Sequence, residues 1–209
     1  FEPGFASPPH IHNVSYSGVV ISGRVHNDDP AAENMWLQPG SYWTQPAGDV
    51  HITSADGASN MAYIEINDGP YLVRPTTQAF DNGEASINVD EKNIVWMDAS
   101  EIAWMQGANS GVETAFLWGN PTADASYGSL IKFVPGHVGV IHPGDASFRA
   151  VVIEGQTKVA SKDPANSRTL SAGSYFGGDR LGAISLTCST EEACTLYIRA
   201  DNQFELRSK

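Results

Sequence analysis

Basic residues are scarce: 12 Lys and Arg stand against 24 Asp and Glu in 209 residues, a formal net charge of -12. A chain so poor in cations has no basic stripe with which to follow a phosphate backbone, which excludes wrapping of DNA or RNA. Long apolar runs are missing as well. Tracts such as 150–153 fall far short of the roughly 18 residues of a helical membrane span, so neither a nucleic acid nor a membrane is expected as partner. Cysteine is limited to Cys188 and Cys194, and the C-x-x-C zinc spacing is absent, as are a glycine-rich phosphate loop and a G-x-S-x-G nucleophile turn. Disorder is excluded by a hydrophobic share of 41% that includes five Trp.

Helical periodicity is nearly absent too. What recurs is a run of five to eight residues rich in Val, Ile, Tyr and Trp, closed by Gly, Pro, Asn or Asp, as at 18–25, 61–66, 112–118, 148–159 and 194–200. Short strands at this spacing predict an all-β sandwich or barrel, with helix only in short pieces such as 99–102. Five residues separate Cys188 from Cys194. If they form a hairpin loop, the sulfurs face each other across the strand ends and can bond; otherwise they are two buried thiols. Few Lys and many Gly, Ser and Asn lean towards an exported, periplasmic or secreted protein.

The chain repeats itself. Phe1-Glu2-Pro3-Gly4 returns as Phe133-Val134-Pro135-Gly136, and Val19-Val20-Ile21-Ser22-Gly23 as Val151-Val152-Ile153-Glu154-Gly155. Asp29-Pro30-Ala31 returns as Asp163-Pro164-Ala165, Gly40-Ser41-Tyr42-Trp43 as Gly173-Ser174-Tyr175-Phe176, and Tyr63-Ile64 as Tyr197-Ile198. A nearly constant offset means duplication. The first repeat is placed at 1–75, a connecting segment at 76–100 and the second repeat at 101–209. The strand-like lead-in at 101–132 has no counterpart before Phe1, so further upstream residues are expected in the natural protein.

Three of the six histidines fall in a pattern. Gly4 is followed by five residues, then His10-Ile11-His12, then Tyr16 and Gly23. Gly40 is followed by five residues, then Pro46, Gly48 and His51. The i, i+2 spacing puts His10 and His12 on one face of a strand, where both imidazoles can reach one metal ion. Pro46 and Gly48 supply the turn that brings His51 onto a neighbouring strand.

These two motifs resemble those of the cupin superfamily, G-x5-H-x-H-x(3-4)-E-x6-G and G-x5-P-x-G-x2-H-x3-N. The duplicated arrangement is similar to bicupins, and more narrowly to a bacterial cupin family catalogued as a domain of unknown function. Zinc-binding anti-sigma-factor cupins and diketone-cleaving dioxygenases are relatives. The resemblance implies two antiparallel double-stranded β-helix (jelly-roll) barrels. It implies one divalent ion (Fe, Zn, Mn or Ni) on His10, His12 and His51, a small-molecule ligand in the barrel of the first repeat, and a homodimer.

Two departures stand out. Tyr16 replaces the family's Glu, and Ala55 its late Asn. Three neutral imidazoles leave the full charge on a bound ion, which sharpens its Lewis acidity and leaves coordination positions open. Tyr16 then stands beside the metal as a candidate catalytic residue, a distant ligand or a wall. Asn13, Gln45 and Asp49 flank the histidines and can tune them, and Trp43 is the tryptophan expected nearest the site. In the second repeat His142 aligns with His10, but Gly144 replaces His12, Phe148 replaces Tyr16, and Ile184 or Ser185 stands at His51, so that repeat is expected to hold no metal. His26 and His137 have no companions at ligand spacing. The leading expectation is a metal-dependent enzyme, either a three-His dioxygenase or a hydrolase or isomerase, acting on a small organic molecule. The alternative is a non-catalytic binding or sensing bicupin.

Overall fold

A computed structural model describes residues 1–66, 68–105, 111–123, 125–145, 147–161 and 166–209. It divides into two compact units, Phe1–Ile94 and Val95–Lys209. Both are built of strands, with 3-10 turns at Thr76–Gln78, Glu91–Asn93 and Ala99–Glu101. The last of these lies where a short helix is expected.

The first unit contains β1 (Ile11–His12), β2 (Tyr16–Ser22), β3 (Val25–Asp28), β4 (Tyr42–Gln45), β5 (Ile52–Ala55), β6 (Met61–Ile66), β7 (Val73–Arg74) and β8 (Ile87–Val89). The order β6-β2-β4-β8 forms one sheet, while β3 pairs with β5 and β1 with β7. Residues 87–89, within the segment read as a connector, thus pair with β4. Tyr16, Val20, Val25, Leu37 and Trp43 form the buried cluster behind the site. Gly18 lies opposite Trp43 in the β2–β4 ladder, and a Cβ there would collide with the indole. Glycine is therefore required at 18 because the ring lies across the strand, not because of its backbone angles.

The second unit contains β9 (Met97–Asp98), β10 (Val112–Trp118), β11 (Tyr127–Phe133), β12 (Val138–His142), β13 (Ser147–Glu154), β14 (Gln156–Ala160), β15 (Arg168–Ser171), β16 (Tyr175–Asp179), β17 (Ile184–Cys188), β18 (Cys194–Ala200) and β19 (Glu205–Ser208). Its sheets run β16-β13-β18-β11-β10-β9 and β15-β14-β17-β12-β19 around a core that includes Tyr127, Phe133, Phe148, Leu196 and Phe204. Cys188 and Cys194 are bonded, with Cα atoms 5.8 Å apart at the ends of β17 and β18; these strands lie in different sheets, so the loop between them is a crossing from one sheet to the other and not a hairpin.

The units follow one pairing scheme. In the first, β2 lies between β6 and β4; in the second, β13 lies between β18 and β16. The β2–β6 register slips between Val20 and Ser22, and the β13–β18 register slips at the matching place, between Val152 and Glu154. Asp163-Pro164-Ala165, one of the repeated motifs, lies outside the described residues.

Candidate metal centre

His10 and His51 face each other in an isolated antiparallel bridge and exchange both backbone hydrogen bonds, at 3.1 and 3.0 Å. His12 projects from β1 on the same face as His10, as strand alternation requires. The Pro46–Gly48 turn feeds His51 into place. Gly48 adopts a positive φ of 84°, and its amide donates to the His12 carbonyl at 2.8 Å, tying the second motif to the first. One nitrogen from each of His10, His12 and His51 lies within 4.8 Å of the others.

The ring tautomers follow from the acceptors around them. His10 Nδ1 lies 2.8 Å from the Pro8 carbonyl oxygen, and His51 Nδ1 lies 3.0 Å from that of Asp49. A carbonyl cannot donate, so both Nδ1 atoms carry the hydrogen and both Nε2 atoms present lone pairs. His10 Nε2 and His12 Nε2 are 3.1 Å apart. Three imidazoles with nitrogens at this spacing, two of them with Nε2 lone pairs fixed by the carbonyls behind, suit a shared cation, so the donor set fits a divalent ion. His12 Nδ1 is buried without a hydrogen-bond partner.

Burial sets the charge state. It lowers the His12 pKa to about 4, helped by the charge of His10 and opposed by the Leu72 backbone. Burial likewise lowers His51 to about 4; the Asp49 backbone opposes this, and His10 and His12 add to it. Both imidazoles are therefore neutral at pH 7, the form that ligates metal.

Tyr16 does enter the site. Its hydroxyl lies 3.3 Å from His51 Nε2 and donates to Asn27 Oδ1 at 3.1 Å; burial, with a contribution from Tyr71, pushes its pKa well above the ordinary range. Asn27, from β3, also accepts from the Thr53 hydroxyl at 2.7 Å and donates to Gln45 Oε1 at 2.8 Å. Gln45 Nε2 in turn reaches the Asp49 carbonyl at 3.3 Å. The bonds form a chain from His51 through Asp49, Gln45 and Asn27 to Tyr16, whose hydroxyl oxygen returns to 3.3 Å from His51 Nε2. Gln45 and Asp49, expected to tune the histidines, meet at the Asp49 carbonyl that also accepts from His51 Nδ1.

Sequence reasoning missed Asn27, Thr53 and Tyr71. Tyr71 Oη lies 2.9 Å from His12 Nε2, and its ring stacks on the imidazole. Asn27 stood in the sequence within the polar run His26-Asn27-Asp28-Asp29, which gave no sign of a buried site residue. Trp43 is close, packed in the same cluster as Tyr16, and contributes volume to the wall. In the second unit, His137 is buried with Nε2 unpartnered, and burial lowers its pKa. Among the described residues, only His10, His12 and His51 form a group able to hold a metal.

A cavity of about 550 Å³ opens beside His51 and Gln45, with Phe80 as its aromatic wall. Asp28, Asp29, Asp49 and Asp81 line it, with no Lys or Arg among the lining residues. The Asp49 carboxyl is raised from the ordinary value by burial and by the charges of Asp81, Asp29 and Glu84.

A family model described as a domain of unknown function, DUF4437, matches residues 1–207. The chain belongs to the DUF4437 family. No curated protein matches the sequence. Among solved structures, a candidate dioxygenase from Nostoc punctiforme is similar with a TM-score of 0.70 at 15% identity, over 97% of this chain and 67% of the other. AerE from Microcystis aeruginosa gives a TM-score of 0.59 at 10% identity, over 96% and 83%. Salicylate 1,2-dioxygenase from Pseudaminobacter salicylatoxidans gives 0.58 at 13%, over 96% and 68%. At these identities the likeness is one of fold, and that fold is the cupin fold.

Proposed function

We propose that this DUF4437 protein is a metal-dependent enzyme of the dioxygenase type, with a single iron(II) held by His10, His12 and His51. The observation that carries the reading is the convergence of three imidazole nitrogens, two with their lone pairs fixed inward by carbonyls behind the rings. Iron bound there would mediate electron transfer from a chelated substrate to dioxygen, and a three-His set leaves positions open for both. The chain's own residues do the rest. The Asp49 carbonyl orients His51, the Tyr16 hydroxyl hydrogen is held by Asn27, and the cavity beside His51 has room for a small molecule.

The four aspartates of that cavity repel carboxylates. The substrate class favoured is therefore a neutral or cationic chelator, such as a β-diketone or a catechol, over an anionic hydroxybenzoate. The shared pairing scheme further supports a duplicated, bicupin origin, with the metal confined to the first repeat. The test is metal content of protein purified without added metal, with His51→Ala as control, followed by oxygen uptake by the iron(II)-loaded protein. Metal in the parent that is lost in the variant, with uptake greater on neutral diketones than on salicylate, supports the reading. Failure to bind any divalent ion overturns it, and zinc without oxygen uptake moves it to a hydrolase or isomerase.

A further inference from the structure

Two donors at right angles on one ion, each about 2.1 Å from it, stand about 3.0 Å apart. The His10–His12 Nε2 separation of 3.1 Å meets this, and so does the 2.9 Å from Tyr71 Oη to His12 Nε2. The Tyr71 ring lies nearly parallel to the His12 imidazole, with planes 17° apart and centroids 4.2 Å apart, and this stacking holds the hydroxyl beside the histidine cluster. Tyr16 is placed otherwise. Its hydroxyl hydrogen goes to Asn27, and the residue is only 5% exposed. Tyr71 is 37% exposed, although burial raises its hydroxyl pKa to about 12.

A second observation concerns how Tyr71 is held. The Asn13 side chain donates to the Pro70 carbonyl at 2.9 Å and accepts from the Leu72 amide at 2.7 Å, gripping the chain on both sides of Tyr71. Asn13 directly follows His12, and His12 pairs with Val73 in the β1–β7 ladder. The segment that bears His10 and His12 thus fixes the tyrosine segment as well.

We propose that Tyr71 is a fourth, oxygen donor to the metal, and that Asn13 is the positioning residue that presents it. The proposal rests on the three-histidine reading above. It supplies from the far end of the first unit the oxygen donor that the Tyr16 position does not give. With iron(III), the phenol O–H bond is replaced by an oxygen–iron bond and the proton leaves to solvent, with no change of oxidation state.

The full-length chain is loaded with iron(II), oxidised to iron(III) with ferricyanide, and read by iron content and visible absorption. The parent should show a phenolate-to-iron charge-transfer band. Tyr71→Phe, which keeps the stacked ring, should lose the band at equal iron content, whereas Tyr16→Phe should keep it. Asn13→Ala should reduce it by more than half at equal iron content. Iron without a band in the parent, or a band that survives Tyr71→Phe, overturns the Tyr71 assignment and leaves the three-histidine reading standing. An unchanged band in Asn13→Ala overturns the positioning role. No iron in the parent overturns both readings together.

Discussion

The side-chain amides of Asn27 and Gln45 meet at 2.8 Å in the interior of the first unit, each 2% exposed. Asn27 stands on β3 and Gln45 on β4, so their contact joins the sheet that carries Tyr16 to the strand pair that leads to His51.

Asn27→Leu should therefore cost both stability and metal affinity. It strands the Tyr16 and Thr53 hydroxyls and the Gln45 amide, and each unsatisfied buried group costs about 1–3 kcal/mol. Loss of groups behind metal ligands typically costs about 10–100-fold in affinity. Urea unfolding and metal titration of the variant check the two effects; a variant unchanged in both would mean that the chain of bonds has no part in holding His51.

The metal-free protein should lose stability as the pH falls from about 6.5 towards 4. Buried His12 and His51 have folded pKa values of about 4, below the ordinary 6.5, so between these limits the unfolded chain binds more protons than the folded one. Stability is then fully present above the unfolded value and is lost through this window, by up to about 1.4 kcal/mol per pH unit for each histidine. Denaturant midpoints with chelator at pH 7, 6 and 5 measure the slope. His51→Gln should flatten it markedly, and a pH-independent parent would contradict the buried neutral pair.

Gly18→Ala should destabilise by about 1–3 kcal/mol, the usual range for overpacking, because its methyl group meets the Trp43 indole. Combining it with Trp43→Leu should recover part of the loss relative to the sum of the single variants. Strict additivity in such a double-mutant cycle would show that the ring and the strand do not compete for the same space.

Replacing both Cys188 and Cys194 by alanine should lower stability by about 2 kcal/mol, the chain-entropy figure for a short loop, since only six positions separate them. Metal content should be unaffected. Thermal unfolding of the variant, beside the parent with and without reductant, reads the difference.

The three histidines were legible because their placement depends on local rules: alternation along one strand, and a Pro-Gly turn that delivers the third. Tyr16 was legible by its position in a motif, but its partner was not. Asn27 and Thr53 meet it only through the β3–β5 register, which joins residues far apart in sequence. Tyr71 was hidden for the same reason: the β1–β7 ladder that brings it to His12 is two residues long on each side, too short to leave an alternation in the sequence. The all-β class followed from runs of β-branched and aromatic residues. The edge strand β8 is three residues long and partly exposed, and so reads as linker. The cysteine pair could not be decided beforehand, because loop spacing permits a bond but does not require one.

The backbone bridge between His10 and His51 gives the centre an order of assembly. His10 and His12 are near neighbours in any conformation of the chain and form a weak two-nitrogen chelate even when it is unfolded. His51 joins them only when the intervening segment has closed and the two residues have exchanged their backbone hydrogen bonds. Among the three histidines, the difference in metal affinity between the folded and unfolded chain therefore rests on His51. That difference is what allows an ion to stabilise the fold. His51 thus acts as the latch through which metal occupancy and the closed fold of the first unit report on one another.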